Sequence, residues 1–161
     1  VWNTKIVTNM GWMFKGTTTF DQDISGLRTD SVVTMNNMFE GAKNFDRDIS
    51  NWDVSNVESM KGMFKSTDEF NNGEVELDWD DTSKVTDMSN MFNNATEFNQ
   101  DIGNWNVENV TSMNSMFYDA SAFDQDIRNW TVNQVISCTN FSASSGISDN
   151  DYIPTFTNCS P

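Results

Sequence analysis

Paired acidic side chains recur beside an isoleucine along this chain of 161 residues. Two neighbouring carboxylates could serve general acid–base catalysis, as they do in glycoside hydrolysis. A catalytic pair occurs once in an active site, however, whereas this pair returns in almost every repeat. Because the chain has no histidine to activate a cysteine nucleophile, we expect a protein that is not an enzyme. The recurring pairs are Asp21/Asp23, Asp46/Asp48 and Asp124/Asp126, and Asn99/Asp101 stands at the equivalent place in another repeat with one amide and one carboxylate.

The same carboxylates are of the ligand type that Ca²⁺ takes. Stacked Asp residues roughly 5 Å apart would repel one another, and a bound cation would relieve that repulsion. The chain lacks both the EF-hand loop spacing and the Gly-Gly-x-Gly-x-Asp repeat. We therefore favour the interpretation that these side chains cap turns and accept hydrogen bonds from neighbouring amides, with no cofactor. Weak calcium binding is the alternative, with Asp46, Asp48, Asp124 and Asp126 as its candidate ligands.

The carboxylates belong to a repeat that is marked by the phrase Met-x-x-Met-Phe. Successive copies begin 25 residues apart, except for one step of 28 between Met60 and Met88. A fixed period of this length is typical of solenoids, in which each unit buries its apolar face against its neighbours. The five copies are Met10/Met13-Phe14, Met35/Met38-Phe39, Met60/Met63-Phe64, Met88/Met91-Phe92 and Met113/Met116-Phe117, and they include all ten methionines.

Spacing within the repeat predicts its local structure. Val57, Met60, Met63 and Phe64 stand at i, i+3, i+6 and i+7, which predicts a short helical segment. The Asp-Ile-Ser phrase alternates polar and apolar residues, as a very short strand does. Strand plus helical segment in about 25 residues is the leucine-rich-repeat type of coil. The sequence therefore predicts an α/β solenoid: a right-handed, leucine-rich-repeat-like coil of about five to six turns of this length, with stacked parallel strands.

The solenoid is predicted over residues 1–137, as about five repeats and the start of a sixth. Three extra residues lie near 71–81, where we expect an acidic outward bulge. Residues 138–161 are predicted to form a degenerate C-terminal cap. Cys138 and Cys159 flank this cap, which predicts a disulfide worth roughly 3 kcal/mol and an oxidising compartment.

Charge and hydropathy exclude two classes of partner. Nine basic and 24 acidic side chains give a net charge of −15, which repels nucleic acids and anionic lipids. The sequence has no stretch near the roughly 18 apolar residues of a membrane helix, so we expect no direct membrane insertion.

The phrase Phe45-Asp46-Arg47-Asp48-Ile49-Ser50-Asn51-Trp52-Asp53-Val54-Ser55-Asn56-Val57 closely resembles the BspA-like leucine-rich-repeat surface proteins, also called the DUF285 repeat family. The resemblance extends from Trp2 to about Cys159, and the 28-residue step departs from the pattern. It implies a secreted or surface-displayed protein, repeated within long adhesin-like polypeptides. The family has no shared enzymatic activity and is usually discussed in terms of adhesion.

We therefore expect an extracellular, cell-surface, non-enzymatic repeat domain that acts as a rigid adhesive or ligand-presenting module of a bacterial surface protein. Its partner would be a host or neighbouring-cell surface protein or glycan, or identical copies in a longer polypeptide or filament. The alternative is a purely structural stalk or filament subunit with no ligand of its own. The predicted ligand-binding residues flank the buried isoleucine line and are Asp23, Ser25, Asp48, Ser50, Glu74, Glu76, Asp101, Asp126 and Arg128.

Overall fold

The computed structural model describes residues 2–161, so residue 1 of the predicted 1–137 repeat region lies outside the described residues. Six units follow one another, and each lies against the next through a parallel β-bridge. Every bridge joins residues that directly precede the first methionine of a unit, or Cys138 in the sixth. The bridges are Asn9–Thr34, Thr34–Ser59, Ser59–Asp87, Asp87–Ser112 and Ser112–Ser137.

Backbone hydrogen bonds join each unit to the next at the repeated phrase. We call residues 10–16, 35–41, 60–66, 88–94, 113–119 and 138–144 the Met segments. At each of the five joints, four amides at alternate positions of one Met segment donate to the following unit, at distances of 2.7 to 3.0 Å. Between the second and third units the bonds are Met35 N–H to Ser59 O, Asn37 N–H to Lys61 O, Phe39 N–H to Met63 O and Gly41 N–H to Lys65 O.

Within a Met segment the chain makes consecutive turns, where the spacing predicts a short helical segment. The third and seventh residues have positive φ, as at Gly62 (60°) and Ser66 (56°). This left-handed conformation interrupts a right-handed helix, and it suits the third residue of a four-residue turn. The first such turn is closed by Met63 N–H, which donates to Met60 O at 3.1 Å.

Regular secondary structure is sparse in residues 2–161. Its helical elements are two 3₁₀ segments, Asn72–Glu74 and Asn150–Tyr152. The parallel bridges lie before the first methionine, and not at the Asp-Ile-Ser phrase where a strand is predicted. The right-handed, leucine-rich-repeat-like solenoid stays a prediction. No helical segment among the described residues has the length and apolar composition that crossing a bilayer requires.

Two columns of phenylalanine rings run through the core. Neighbouring rings lie 5.4–5.6 Å apart in the first column and 5.8–6.0 Å apart in the second, with nearly parallel planes. Stacked pairs of this kind contribute about 0.5–1.5 kcal/mol each beyond the burial of their area. The first column contains Phe14, Phe39, Phe64, Phe92 and Phe117, and the second contains Phe20, Phe45, Phe70, Phe98 and Phe123.

The three extra residues of the longer step are tied to the preceding unit. Asn72 is buried, and its Oδ1 accepts a hydrogen bond from Ile49 N–H at 2.9 Å while its Nδ2 donates to Val75 O at 2.8 Å. The chain then returns to the core at Leu77 and Trp79. Because the insertion is satisfied locally, the bridges on both sides of it keep their position in the repeat.

The predicted disulfide between Cys138 and Cys159 is confirmed. It fixes the C-terminal tail, residues 145–161, across the sixth unit. Ile147, Ile153 and Phe156 of this tail pack against the core, and the ring of Phe156 lies 5.0 Å from that of Phe141. Apolar side chains of the sixth unit are therefore covered by the tail.

Candidate functional site

The predicted ligand-binding residues lie beside the isoleucine line, and we call them the Asp-Ser face. Asp48 Oδ1 accepts hydrogen bonds from the amide of Ser50 at 2.9 Å and from its hydroxyl at 2.7 Å. Asp23 and Ser25 form the same pair of bonds at the same distances. These are Asx turns, in which a short carboxylate replaces a backbone acceptor. With the intervening Ile49 fully buried, each turn holds its carboxylate outward.

Two further Asp residues of the face form variants of this turn. Asp101 Oδ1 accepts the amide of Gly103 at 3.0 Å. Asp126 accepts both the amide of Arg128, at 3.1 Å, and its guanidinium Nε–H, at 2.9 Å. The Arg128 guanidinium also lies 5.2 Å from the centre of the Tyr152 ring.

The structure brings only part of the Asp-Ser face together. Asp23, Ser25 and Asp48 line an open depression of about 350 Å³, which Arg47 and Gly73 also border. The other predicted residues lie outside this depression, although Asp101, Asp126, Arg128, Glu74 and Glu76 are all exposed. The face is therefore a row of separate turns along the molecule.

Two of the four candidate calcium ligands, Asp46 and Asp124, accept hydrogen bonds from residues of the following part of the chain. Asp46 Oδ1 accepts the amides of Asn71 and Gly73, both at 2.8 Å, and Asp124 Oδ1 accepts the amide of Ser148 at 2.8 Å. Ca²⁺ takes six to eight oxygen ligands. In the described part of the chain, no group of three or more His, Cys, Asp or Glu residues is arranged to hold a metal ion. These carboxylate oxygens accept hydrogen bonds from backbone amides, and weak calcium binding by them stays a prediction.

Hydrogen bonding lowers the pKa of two carboxyls of the face. The hydroxyl and amide of Ser25 lower the pKa of the Asp23 carboxyl below its ordinary value of 3.8. The Arg128 side chain lowers the pKa of Asp126, and Asp126 in turn raises the pKa of Arg128. Because the charged form of each Asp accepts these bonds, both carboxylates stay negative well into acidic solution.

Charge is distributed unevenly along the chain. Residues 1–66 contain seven basic and eight acidic side chains, which gives a net charge of −1. Residues 67–161 contain two basic and sixteen acidic side chains, which gives −14. The whole-chain charge of −15 does not show this uneven distribution. Counting the charges in separate segments of the sequence would have shown it. The acidic surface therefore extends along the later units, well beyond the Asp-Ser face.

The N-terminal end presents a second surface, which is apolar. Ile6 is 86% exposed, Trp2 57% and Trp12 54%. A cavity of about 520 Å³ opens at this end and is lined by Trp2, Phe20, Ile24 and Leu27, together with polar residues. The predicted Asp-Ser face includes only the polar Asp23 and Ser25 from this lining.

The family described as "Mycoplasma protein of unknown function, DUF285" matches residues 1–80 and, a second time, residues 74–152. The two matches confirm both the predicted DUF285 family and the repeated nature of the sequence. No curated protein and no solved structure matches the chain.

Proposed function

The chain belongs to the DUF285 family, and we propose that it is a non-enzymatic, extracellular repeat module of the BspA-like leucine-rich-repeat type. In this proposal the module is a rigid solenoid on a bacterial surface protein. It presents its Asp-Ser face to basic groups on a protein or glycan of a host or neighbouring cell.

The observation that carries this proposal is the row of fixed, exposed carboxylates. Each Asp of the row accepts at least one hydrogen bond from the residue two positions later, as Asp48 does from Ser50. A side chain that is already ordered loses little conformational entropy when a ligand binds. Because the row is charged and preorganised, it suits cationic partners such as lysine, arginine or amino-sugar groups.

The disulfide supports the extracellular location. Cys138 and Cys159 are joined, and structural disulfides persist in oxidising compartments such as the cell exterior. The repeated use of the Asp carboxylates as turn caps supports a non-enzymatic role, because a turn that recurs in several units has no single reactive centre.

Binding by purified protein to arrays of glycans and basic peptides tests the proposal. The test variant is D23N/D48N/D101N/D126N, because an Asn oxygen can accept the same turn hydrogen bonds, as Asn106 Oδ1 does from Glu108 N–H. The matched control is E58Q/E69Q/E97Q/E108Q, which removes the same charge from exposed residues outside the face.

We expect the face variant to bind its array partners roughly tenfold more weakly, because four exposed ion pairs contribute about 0.2–1 kcal/mol each. The control should keep most of the wild-type affinity. Equal losses in both variants would show that overall charge, and not this face, attracts the partner. Retained binding by the face variant would contradict the proposal outright.

A second candidate function is a structural subunit with no ligand of its own. It is favoured by the continuity of the molecule, in which one apolar cluster extends from Met10 to Phe141. The same four backbone hydrogen bonds repeat at all five joints. For this candidate the arrays would show no binding, and the ends of the molecule would be its contacts.

A further inference from the structure

The insertion of the longer step contains the pair Asn72-Gly73. Asn72 is the only asparagine in the sequence that directly precedes a glycine. Asparagine is thermolabile, because the backbone nitrogen of the next residue can attack its side-chain carbonyl carbon. Glycine hinders this attack least, since it has no Cβ and the widest range of backbone conformations. Residue type therefore makes Asn72 the asparagine of this chain that is most prone to deamidation.

The fold holds both reacting groups of this pair in hydrogen bonds. The attacking nitrogen, Gly73 N–H, donates to Asp46 Oδ1 at 2.8 Å. The side chain under attack is fully buried. Its Oδ1 accepts from Ile49 N–H at 2.9 Å, and its Nδ2 donates to Val75 O at 2.8 Å. Attack requires these bonds to break, and the hydrolysis that follows requires water to reach a buried side chain.

The backbone of the insertion favours its detachment from the preceding unit. Asn72, Gly73 and Glu74 have φ values of 58°, 59° and 61°, so three successive residues are left-handed. This conformation suits Asn and Gly but is costly for Glu. The insertion is therefore held by its bonds to the preceding unit, of which Asp46 accepts two. A segment held in this way opens locally at a lower free energy than the core does.

We propose that Asn72 is a deamidation site that is closed in the folded protein and reacts when the insertion detaches from the preceding unit. The Gly73 nitrogen forms a bond to Asn72 Cγ and gives up its proton, which leaves with the side-chain nitrogen as ammonia. The resulting cyclic imide then takes up water. Hydrolysis at one carbonyl gives aspartate, and hydrolysis at the other gives isoaspartate. Water is the only co-reactant, and this chemistry is separate from binding by the Asp-Ser face.

Neither product fits the closed insertion. Aspartate has no N–H to donate to Val75 O, and it places a negative charge at a fully buried position. Isoaspartate lengthens the backbone before Gly73, which displaces Gly73 N–H from its acceptor on Asp46. Deamidation therefore marks permanently each copy of the protein in which the insertion has opened.

Incubation of the whole chain in mildly alkaline buffer, folded or in urea, tests the proposal, and peptide mass spectrometry locates the modified asparagine. We expect Asn72 to be the first asparagine modified in urea, and to react roughly tenfold more slowly in the folded protein. At urea concentrations below the unfolding transition, its rate should rise before that of any other asparagine. Gly73→Ala should slow the reaction in urea, because the added methyl group hinders the attacking nitrogen.

Three variants test whether the bonds to Asp46 provide the protection. D46A removes both, and it should raise the rate at Asn72 in the folded protein roughly tenfold. D46N should stay close to the wild type, since an Asn Oδ1 accepts the corresponding amide in the next unit, at 2.9 Å. D124A is the matched control, because Asp124 Oδ1 accepts the amide of Ser148 in the same way, and it should leave the rate at Asn72 unchanged. Circular dichroism melting verifies that the variants fold.

Equal rates at Asn72 in the folded and unfolded protein would overturn the proposal, and so would earlier modification of another asparagine in urea. A folded D46A that reacts no faster than D124A would also overturn it, because the bonds to Asp46 would then give no protection. If D46A does not fold, the urea series on the wild type decides. A rate at Asn72 that rises only with global unfolding would contradict detachment of the insertion.

Discussion

The N-terminal end of the molecule leaves Trp2, Trp12 and Met13 exposed, whereas the C-terminal end is covered by a tail that a disulfide holds in place. Both ends are built from the same repeat. They differ because the tail covers the sixth unit with Phe156 and Ile153, while no described segment covers the first unit in this way.

This difference shows that burial in the molecule depends on the neighbouring unit more than on the residue itself. Met13 and Met63 occupy equivalent places in the repeat, yet only Met63 has a unit on each side. In repeat proteins, stability is approximately a sum of terms for units and for contacts between neighbours. The end units should therefore contribute less to the free energy of unfolding than the interior units do.

The largest expected effect is on the free energy of unfolding, at two methionines that occupy equivalent positions in different units. We predict that Met63→Ala lowers the free energy of unfolding by about 2–5 kcal/mol, because it opens a cavity in a closed core. Met13→Ala should cost less than about 1 kcal/mol, because a partly exposed site loses less burial. Urea denaturation of dilute protein measures both values. Equal losses would mean that the N-terminal end is as well covered as the interior.

Removing the disulfide should release the tail from the sixth unit. Much of the difference in burial between the two end units should then disappear. We predict that C138A/C159A loses roughly 3 kcal/mol of stability, as expected for opening a closed loop of this size, since the two cysteines have a sequence separation of 21. Hydrogen exchange should show faster exchange at Ile127 N–H, which donates to Tyr152 O of the tail, while Met35 N–H is unchanged.

Reduction of the wild type provides a second measurement for this prediction, since it leaves the buried side chains in place. The same local change in exchange is expected after reduction. Faster exchange throughout the chain would show that the tail stabilises the whole molecule and not its C-terminal end alone.

The register of the repeat could be predicted because Met and Phe mark core positions. The structure buries every methionine except Met13, which lies in the first unit. The disulfide could also be predicted, because Cys138 and Cys159 are the only cysteines and flank one segment. These features follow directly from residue type and spacing.

The backbone conformation between the core positions could not be predicted from apolar spacing, because successive turns and a short helix can present apolar residues at the same intervals. The informative residues are those with positive φ, such as Asn37, Gly41 and Asn90. Asn and Gly adopt this conformation at low cost. The sequence also could not predict that the Asp-Ser face consists of separate turns, because a sequence pattern does not show how far apart equivalent side chains lie.

Trp52 and Trp105 occupy equivalent positions in the repeat but differ in the hydrogen bonding of the indole N–H. We expect this difference to have a smaller effect on stability. Trp105 Nε1–H donates to Leu77 O at 3.3 Å, whereas Trp52 Nε1–H is buried without a partner among the described residues. The equivalent position 25 residues before Trp52 is occupied by Leu27. Trp→Phe removes the same volume at both sites. We predict that W105F costs about 1 kcal/mol more than W52F in urea denaturation, because only W105F loses a hydrogen bond. Equal costs would indicate that Trp52 binds an ordered water molecule.

The two ends can also be compared through the carboxyl pKa values of Asp23, near the N-terminal end, and Asp126, near the C-terminal end. Hydrogen bonds from Ser25 lower the pKa of Asp23, and the side chain of Arg128 lowers that of Asp126. Because the pKa of each group is lower in the folded protein, each stabilises the fold above the ordinary value of 3.8, and this contribution is lost as the pH falls below it.

The smallest effect that we predict is a difference in how these two pKa values respond to salt. The pKa of Asp23 is lowered mainly by hydrogen bonds from Ser25, and that of Asp126 mainly by the charged side chain of Arg128. A charged guanidinium is screened by salt, whereas the hydroxyl and amide of Ser25 carry no net charge. Added salt should therefore raise the pKa of Asp126 more than that of Asp23, as measured by NMR titration of the carboxyl carbons. Ser25→Ala should raise the pKa of Asp23 alone, and Arg128→Gln that of Asp126 alone. Equal salt responses at both sites would show that the surrounding acidic surface, and not the local donor, sets the pKa at each end.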